Sequence, residues 1–503
     1  MVKPADLFDR DVEWGELQRF ATSNTPGLAI AIVLGRRRAG KSYLLRRLVD
    51  GDVRREADAR AGTAQGLYYQ GIQEEREPAL RRVAALVAAT SGYKGATANL
   101  RFDDWKTALE AMLDAAAVPI KEGSKRTLAT GVVVLDEFPY LLQRSPELAS
   151  VIQLIYDERK AGPRSRLILC GSSISTMAQL SSGSQPLRGR AQVDLRIAAF
   201  DFRLARQFWK IKDHATALHV DALLGGSPGY RDLIIDKPPQ SLKEFAPWVG
   251  ATVMNPSHAL YREEEFLMRE DPRLLDHTLY RSILAAVAAG ERTPTRLGGR
   301  LNRDRTALAA LLNNLVDAGF LRKQSDLGNA RAVTYNVADP IVRFSQLVLV
   351  PHRARLDERQ WREVWQQTES TWKSQILGPH LEDIVHIWLM RYASRRTLGG
   401  TAAVVGRRTV ADRERKTALE LDAVVQDTSG NILLIGEVKS GATKLGVADL
   451  HRLERGRTLL SALAARARIM LVAVNGFDAA LRKQAALRKD IELVDLQRLY
   501  EGT

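Results

Sequence analysis

The sequence predicts a multidomain α/β protein, with a mostly parallel sheet in its first part and a second α/β domain in its last part. In residues 1–200, apolar runs of strand length alternate with amphipathic stretches of helical length. This alternation is typical of parallel sheets whose strands are connected by helices. Residues 201–271 contain helical patterns without a convincing strand. Strand-like runs return after residue 373, so a separate sheet is expected there.

Length and composition agree with several globular domains. The chain has 503 residues, and 74 Lys+Arg against 59 Asp+Glu give a formal net charge of +15. Domains of about 100–200 residues predict three or four of them. Hydrophobic residues make up 45% of the chain, which excludes intrinsic disorder and a collagen-like repeat. The basic charge suits a polyanionic partner such as nucleic acid, and an arginine-rich surface without such a partner is the alternative.

The only cysteine of the sequence, Cys170, excludes an internal disulfide and a cysteine-rich zinc site. A reducing compartment is the simplest expectation for such a chain. The sequence does not open with an apolar signal segment, and its longest apolar runs fall well short of the ~18 residues that span a membrane. We therefore expect a cytoplasmic protein without a membrane partner.

The elements of the first sheet follow from its apolar runs. Strands are predicted at Leu28–Leu34, Gly66–Ile72, Val132–Leu135, Arg166–Leu169 and Val193–Ile197. The segments 78–90 and 105–117 between them have helical periodicity. Residues 1–200 are therefore predicted to form one α/β core, and residues 201–271 a small helical domain.

Residues 272–340 predict three helices followed by a two-stranded hairpin, which is the order of a winged helix. The helices are expected at Leu274–Ala289, Thr295–Leu301 and Arg305–Ala318, and the strands at Phe320–Lys323 and Ala332–Val337. Residues 341–372 are predicted to be a packing linker. Residues 373–503 are predicted to form the second α/β domain, beginning with a helix at 372–394.

A phosphate-binding loop follows the first strand. Residues 35–42 read GRRRAGKS and fit GxxxxGK[ST], between an apolar strand and a helical stretch. Gly35 and Gly40 let the backbone wrap closely around phosphates, and the helix N-terminus points amide groups at the anion. Lys41 is expected to reach the β- and γ-phosphates, and the Ser42 hydroxyl to ligate Mg²⁺. The pattern therefore predicts ATP and Mg²⁺ as cofactors.

Three further groups complete the predicted nucleotide site. The strand at 132–135 ends in Asp136 and Glu137, the Walker B pattern, in which the first acid holds Mg²⁺ and the second orients the attacking water. Ser172, after the strand at 166–169, is placed to sense the γ-phosphate, or it caps the next helix. Arg190 is a candidate arginine finger for a neighbouring subunit of a homo-oligomer, or it is surface charge.

These motifs together resemble the archaeal-type ATPases of the P-loop AAA+/STAND group over residues 5–270. The resemblance implies an ASCE-type sheet, a helical lid at 201–271 and ATP-driven conformational switching. The sequence departs from the family pattern at Leu187-Arg188, where a tyrosine usually precedes the glycine. The matching pieces are Phe8-Asp9-Arg10, Gly35–Ser42, Tyr68-Tyr69, Leu135–Tyr140, Cys170–Ser173, Pro186–Arg190 and Gly225–Tyr230.

The predicted winged helix is basic. Residues 281–331 contain nine arginines and lysines against four acids. Residues 302–318 are the expected recognition helix, and its first turn carries Asn302, Arg303, Arg305 and Thr306, which suit phosphates and base edges. DNA is therefore an expected partner, and a winged helix that packs only against protein is the alternative.

Acids and a lysine cluster in the predicted C-terminal sheet. Asp422 lies in one strand, and Glu437 and Lys439 end the next, two residues apart and therefore on the same face. Glu382 lies upstream on a helix. Asp422 and Glu437, with Glu382 completing the shell, suit Mg²⁺ or Mn²⁺. Lys439 would position water or stabilise the charged transition state. A solvated sheet edge with cross-strand ion pairs is the alternative.

The order E…D…ExK resembles the PD-(D/E)xK nuclease superfamily over about residues 373–475. More narrowly, it is similar to the domain that commonly follows archaeal-type ATPase modules. The resemblance implies a nuclease-like domain with a second metal site. We therefore predict an ATPase that couples nucleotide state to DNA binding or metal-dependent DNA cleavage. The alternatives are a STAND-type ATP switch or a transcriptional regulator, each with a C-terminal module that does not cleave.

Overall fold

The protein divides into two compact units, one ending at Ala198 and the other formed by Ala199–Thr503. The predicted division of the chain into five parts is finer than these two units and stays a prediction. Residue 272, where the predicted winged helix begins, lies outside the described residues. The structure is a computed structural model, and it describes residues 2–50, 66–90, 99–117, 119–122, 125–128, 131–180, 182–183, 185–271 and 273–503.

The first unit contains a five-stranded parallel sheet, as predicted, with the order β2-β5-β6-β1-β7. Its strands are Leu28–Leu34 (β1), Gly66–Gln70 (β2), Gly131–Asp136 (β5), Ser165–Gly171 (β6) and Ala191–Arg196 (β7). A separate antiparallel pair, Pro119–Glu122 (β3) and Lys125–Leu128 (β4), was not predicted. The helices are Asp11–Thr22 (α1), Lys41–Asp50 (α2), Arg76–Ala88 (α3), Trp105–Ala116 (α4), Phe138–Arg144 (α5), Leu148–Glu158 (α6) and Ile174–Leu180 (α7).

Helices cover both faces of this sheet, and β1 is consequently buried along its whole length. Leu28, Ile30 and Ile32 face the core that contains residues of α3, α4 and α6. Ala29 and Ala31 alternate with them and face the core formed with α1 and α2. Side chains of successive strand residues point to opposite faces, so one apolar run supplies two cores. The carboxyl ends of all five strands consequently lie at one edge, where the phosphate-binding loop begins.

The second unit combines helices with a mixed sheet of order β10-β11-β12-β13-β14 and a separate hairpin, β8–β9. The strands are Leu321–Asp326 (β8), Asn329–Val337 (β9), Val404–Asp412 (β10), Thr417–Gln426 (β11), Ile432–Lys439 (β12), Arg468–Ala473 (β13) and Ile491–Val494 (β14). The β10–β11 and β11–β12 pairs are antiparallel, whereas β12–β13 and β13–β14 are parallel.

The α-helices of this unit are Phe202–Trp209 (α8), His214–Leu224 (α9), Leu242–Ala251 (α10), Glu263–Arg269 (α11), His277–Ala288 (α12), Pro294–Leu301 (α13), Arg305–Asp317 (α14), Pro340–Phe344 (α15), Arg353–Asp357 (α16), Trp361–Thr371 (α17), Gly378–Arg391 (α18), Arg395–Leu398 (α19), Val447–Leu459 (α20), Ala479–Leu487 (α21) and Leu496–Glu501 (α22). Short 3₁₀ turns lie at Pro228–Leu233, Ala259–Arg262 and Ser461–Ala464, and π-helical turns at Ser345–Leu349 and Trp372–Leu377. Among the described residues, none of these helices is both long enough and apolar enough to cross a membrane.

The helices predicted as a lid share a hydrophobic core with the C-terminal part of the chain. The rings of Phe202 on α8 and Tyr500 on α22 meet edge to face at 5.1 Å. The Arg203 guanidinium donates to the Leu499 carbonyl at 2.8 Å. These contacts join positions almost 300 residues apart, and they place α8–α11 in the second compact unit.

The third helix of the predicted winged helix begins at Arg305, as its helical pattern predicts, and residues 302–304 of the expected recognition helix lie before it. Asn302 adopts φ +50° and ends α13, while Asp304 accepts hydrogen bonds from the amides of Thr306 and Ala307 at 2.8 and 2.9 Å. Helix α14 therefore starts at Arg305, since a side-chain acceptor at the N-cap position initiates the helix there. Arg303 remains in the exposed turn before it.

We expect His219 on α9 to make the second unit less stable at acidic pH. Burial lowers the pKa of His219 to about 4, with Lys373 contributing to the shift. Its ring lies 5.1 Å from that of Phe245 and 5.7 Å from that of Trp372. The unfolded chain takes up the proton near pH 6.5 and the folded chain only near pH 4. Stability is therefore complete above pH 6.5 and falls as the pH drops through this window.

The measurement is urea unfolding followed by tryptophan fluorescence at pH 7.5 and pH 5.0. His219→Gln should lose about 2 kcal/mol less of its unfolding free energy between these values than the wild type. His451→Gln, at an exposed position, is the matched control and should behave as the wild type. Equal pH dependence of wild type and His219→Gln would contradict the expectation.

Candidate functional site

The phosphate-binding loop has the geometry that its glycines predict. A Cβ at Gly35 would lie 2.3 Å from the carbonyl oxygen of Ile197, which leaves no room for a side chain. Gly40 adopts φ +89°, a conformation that favours glycine. The Lys41 ammonium donates to the carbonyls of Gly35 and Arg36 at 2.7 and 2.9 Å, so it arches back over the loop. Helix α2 begins at Lys41 and directs its first amides to this loop.

Oxygen donors suited to Mg²⁺ lie beside this loop. The Ser42 hydroxyl donates to Oδ2 of Asp136 at 2.6 Å, and Asp136 is fully buried. The Tyr68 hydroxyl donates to the same carboxylate oxygen. A hydroxyl and a carboxylate in contact at a buried position are the donor set that Mg²⁺ prefers, so the residues present fit this ion. Tyr68 was noted only as part of a family pattern; nothing local in the sequence indicates its contact with Asp136.

Glu137 is held next to this pair in a strained conformation. Its backbone adopts φ +51°, in the left-handed region, and its amide donates to Oδ1 of Asp136 at 2.9 Å. The Ser172 hydroxyl donates to Oε2 of Glu137 at 3.0 Å. Burial raises the pKa of Glu137, and the charge of Asp136 raises it further. Strand β6 lies between β1 and β5, and this order brings Ser172 to Glu137.

Arg190 lies away from the phosphate-binding loop. It directly precedes β7, and Ala191 pairs with Ile30 near the start of β1, whereas the loop follows the end of β1. Its guanidinium binds Asp157 and the Pro186 carbonyl, each at 3.0 Å. The arginine is therefore at the opposite edge of its own sheet, and the finger role requires a second subunit.

Arg10 supports the loop and was predicted only as part of a family pattern. Its side chain is almost completely buried and donates to the carbonyls of Ala39 and Ala198 at 3.1 and 2.7 Å. A second nitrogen binds the Glu13 carboxylate at 2.9 Å. The guanidinium fork thus ties helix α1 and the end of the sheet to the loop. An arginine this early in the chain offers no local signal of such a role.

In the second unit, β11 and β12 bring together three of the residues predicted for the C-terminal site. Oδ2 of Asp422 accepts a hydrogen bond from the Val438 amide at 2.9 Å. The Lys439 ammonium binds Oε1 of Glu437 at 2.8 Å, so these two side chains share a face. Burial raises the pKa of Asp422 to about 6, and the charge of Glu437 adds to the shift. The hydrogen bond to Glu437 raises the pKa of Lys439, which keeps its ammonium charged.

One oxygen of this cluster has no partner among the described residues. Glu437 is 2% exposed, and its Oε2 atom makes no hydrogen bond to any of them. A buried carboxylate oxygen without a donor is costly, and a divalent cation beside Asp422 would satisfy it. These two carboxylates therefore fit Mg²⁺ or Mn²⁺ in chemical type.

Glu382 does not join them as a third ligand. It lies on α18 and pairs with Arg407 of β10. Burial raises the pKa of Glu382 to about 7, even though Arg407 lowers it, and the charge of Asp422 raises it further. Within the described ranges, no group of three or more His, Cys, Asp or Glu side chains is placed to hold a metal ion. The predicted three-carboxylate shell is thus reduced to two acids, because a nearby arginine holds the third.

Arg452 was not anticipated at this site. It lies on α20 and binds Oε1 of Glu437, and its other nitrogen donates to the Glu420 carbonyl at 3.1 Å. The i to i+15 separation from Glu437 follows no helix or strand period, so the sequence offers no signal of the contact.

The front half of the chain matches a known family. A family model described as an ATPase domain predominantly from Archaea matches residues 7–221. An uncharacterized protein of Methanocaldococcus jannaschii is 24% identical over 357 residues, which cover 70% of this chain and 70% of that protein.

Solved structures show more distant similarity. The Walker-type ATPase of Pyrococcus abyssi is 21% identical, with a TM-score of 0.46, over 69% of this chain and 99% of that one. The ORC2 protein of Aeropyrum pernix is 16% identical, with a TM-score of 0.45, over 73% of this chain and 96% of that one. Residues 7–221 are therefore similar to an ATPase domain found predominantly in Archaea, and Lys41, Ser42 and Asp136 lie together in this region.

Proposed function

We propose that this protein hydrolyses ATP in its first unit, and that its second unit binds nucleic acid and cleaves it with the help of a divalent metal ion. The nucleotide state of the first unit would control the second. The arrangement of Asp422, Glu437 and Lys439 supports the proposal for cleavage, because it combines a partly buried acid, a buried acid with an oxygen that has no hydrogen-bond partner among the described residues, and a cation.

At the first site, each residue has a distinct part. Lys41 neutralises the β- and γ-phosphates, and Ser42 and Asp136 hold Mg²⁺, which supplies charge neutralisation of the phosphate oxygens. Glu137, held by Ser172, orients the water that attacks the γ-phosphate. Arg190 of one subunit stabilises the transferred phosphoryl group at the site of another, which makes a homo-oligomer the active form.

At the second site, Asp422 and Glu437 hold Mg²⁺ or Mn²⁺, which polarises the phosphodiester and activates water when bound. The ammonium of Lys439 lies beside Glu437 and is 46% exposed. Because it stays protonated, its role is to stabilise the extra negative charge of the transition state rather than to act as a base.

The test is the cleavage of labelled single-stranded DNA and plasmid by the full chain, in Mg²⁺, in Mn²⁺ or in EDTA, with and without ATP. We expect products in either metal and none in EDTA, and a rate that changes when ATP is added. Metal-independent cleavage, or no cleavage in any of these conditions, would contradict the proposed nuclease.

A second candidate is an ATP-dependent switch or transcriptional regulator whose second unit binds DNA without cutting it. The arginine pairs of this site favour it: Arg407 neutralises Glu382, and Arg452 neutralises Glu437. Intact ATP turnover together with DNA binding and no cleavage would support this candidate.

A further inference from the structure

A cavity of about 690 Å³ lies above the C-terminal acids. Its walls come from the turn before α13, the β8–β9 hairpin and strands β10 and β11, and both Glu382 and Asp422 line it. Two of the four predicted nuclease residues and the hairpin of the predicted winged helix therefore line the same cavity. The volume is within the ~300–1,000 Å³ of small-ligand pockets, which is too small for duplex DNA.

The hairpin is held firmly against the C-terminal sheet. The Leu327 amide at its tip donates to the Arg407 carbonyl at 3.0 Å. Oδ2 of Asp326 accepts a hydrogen bond from the Thr409 amide at 2.7 Å. At the base of the hairpin, Arg322 binds Asp383 of α18. The hairpin is consequently a wall of the cavity and does not project freely, as a DNA-contacting wing would.

Arg292 is the most unusual residue of this cavity. Its carbonyl accepts a hydrogen bond from the Tyr335 amide at 2.8 Å, which fixes its backbone to the hairpin. Its guanidinium is partly buried and forms no ion pair with any residue in the described part of the chain. Burial lowers the pKa of Arg292, although the charges of Glu382, Asp383 and Glu420 raise it. A desolvated cation without a partner is unfavourable. An anionic ligand is the partner that would compensate it.

Two more arginines line the cavity, so several positions in it could bind an anion. Arg296 and Arg408 line it, and neither forms an ion pair among the described residues. Arg407 differs from them, because Glu382 already neutralises it. Several unpaired guanidiniums along one cavity suit consecutive phosphates, since each has a planar fork of donors that matches phosphate oxygens.

We propose that Arg292, Arg296 and Arg408 bind the phosphate backbone of a nucleic-acid single strand and lead one of its phosphodiesters to Asp422. The inference rests on the nucleic-acid part of the proposed function but not on cleavage. It moves the expected nucleic-acid contact from the exposed first turn of α14 to the cavity behind the hairpin.

The test is the fluorescence anisotropy of the full chain with a labelled 20-nucleotide single strand, in EDTA, so that binding is measured apart from cleavage. Arg292→Gln should bind about tenfold more weakly, the loss expected for one charge-assisted phosphate contact. The slope of log K against log salt should fall by about 1. Its melting temperature should equal or exceed that of the wild type, because a partly buried charge without an ion pair among the described residues is removed.

Arg303→Gln, in the exposed turn before α14, is the matched control and should bind as the wild type. Comparing single strands of DNA and RNA of the same sequence shows which of the two nucleic acids the cavity prefers. A duplex of that sequence should bind more weakly than either single strand. Unchanged binding by Arg292→Gln, a larger loss in Arg303→Gln, duplex binding as tight as single-strand binding, or no binding by the wild type would each overturn the inference. Binding that depends on Arg292 without cleavage in Mg²⁺ would keep the inference and reject the nuclease.

Discussion

Glu137→Gln should lower kcat for ATP hydrolysis by about 100-fold or more, while ATP binding is retained. The carboxylate follows Asp136 directly and is fixed by the Ser172 hydroxyl at 3.0 Å. Glutamine keeps the shape and one oxygen of this side chain, but it cannot accept a proton from water. Because Lys41 and Ser42 are unchanged, the affinity for ATP should stay within about threefold of the wild-type value.

The measurement is phosphate release at saturating ATP, together with the binding of a fluorescent ATP analogue. Glu147→Gln is the matched control, since Glu147 is an exposed acid at the start of α6. It should leave turnover unchanged. Equal turnover in Glu137→Gln and wild type would show that another group orients the water. A joint loss of turnover and analogue binding would indicate a collapsed site.

Lys439→Ala should reduce metal-dependent cleavage by about 100-fold or more. The ammonium binds Oε1 of the buried Glu437 at 2.8 Å and lies near Asp422, so its charge is available where the phosphodiester gains negative charge. Binding of a single strand in EDTA should fall by much less, about threefold, because the arginines of the cavity remain. Lys439→Arg should restore part of the rate, since it keeps the positive charge.

The rates of product formation in Mg²⁺ and in Mn²⁺ measure this effect, with the melting temperature as a check of the fold. Lys444→Ala is the matched control, because Lys444 follows the same strand closely and is exposed. Cleavage that persists in Lys439→Ala would come from another site or a contaminant. A fall in melting temperature as large as that of a core substitution would assign Lys439 a structural role.

The proposed homo-oligomer rests on the proposed finger role of Arg190. At its own sheet edge the arginine binds Asp157 and the Pro186 carbonyl and lies over the ring of Tyr156, whereas the phosphate-binding loop lies at the other edge. A finger in this position acts only in a neighbouring subunit. The hydrolytic and oligomeric properties of the protein are therefore linked in the proposed mechanism.

The sequence by itself determined the first sheet and the phosphate-binding loop. A short stretch of sequence is sufficient to predict each of these features: an apolar run such as Leu28–Leu34 predicts a buried strand, and GRRRAGKS predicts the loop. The pairing of Asp422, Glu437 and Lys439 was also accessible, because two neighbouring strands and a side-chain period of two residues bring them together. Local patterns were sufficient where the contacts were local or ran between adjacent strands.

The tertiary structure alone decided which parts of the chain share a core and which side chains neutralise one another. The contact of Arg203 with Leu499 crosses almost 300 residues and places the predicted lid helices in the second unit. The pairing of Glu382 with Arg407, and the absence of an ion pair between Arg292 and any described residue, depend on the packing of the hairpin against β10. Such contacts follow from the burial of whole surfaces between distant elements, and no periodicity within a short segment encodes them.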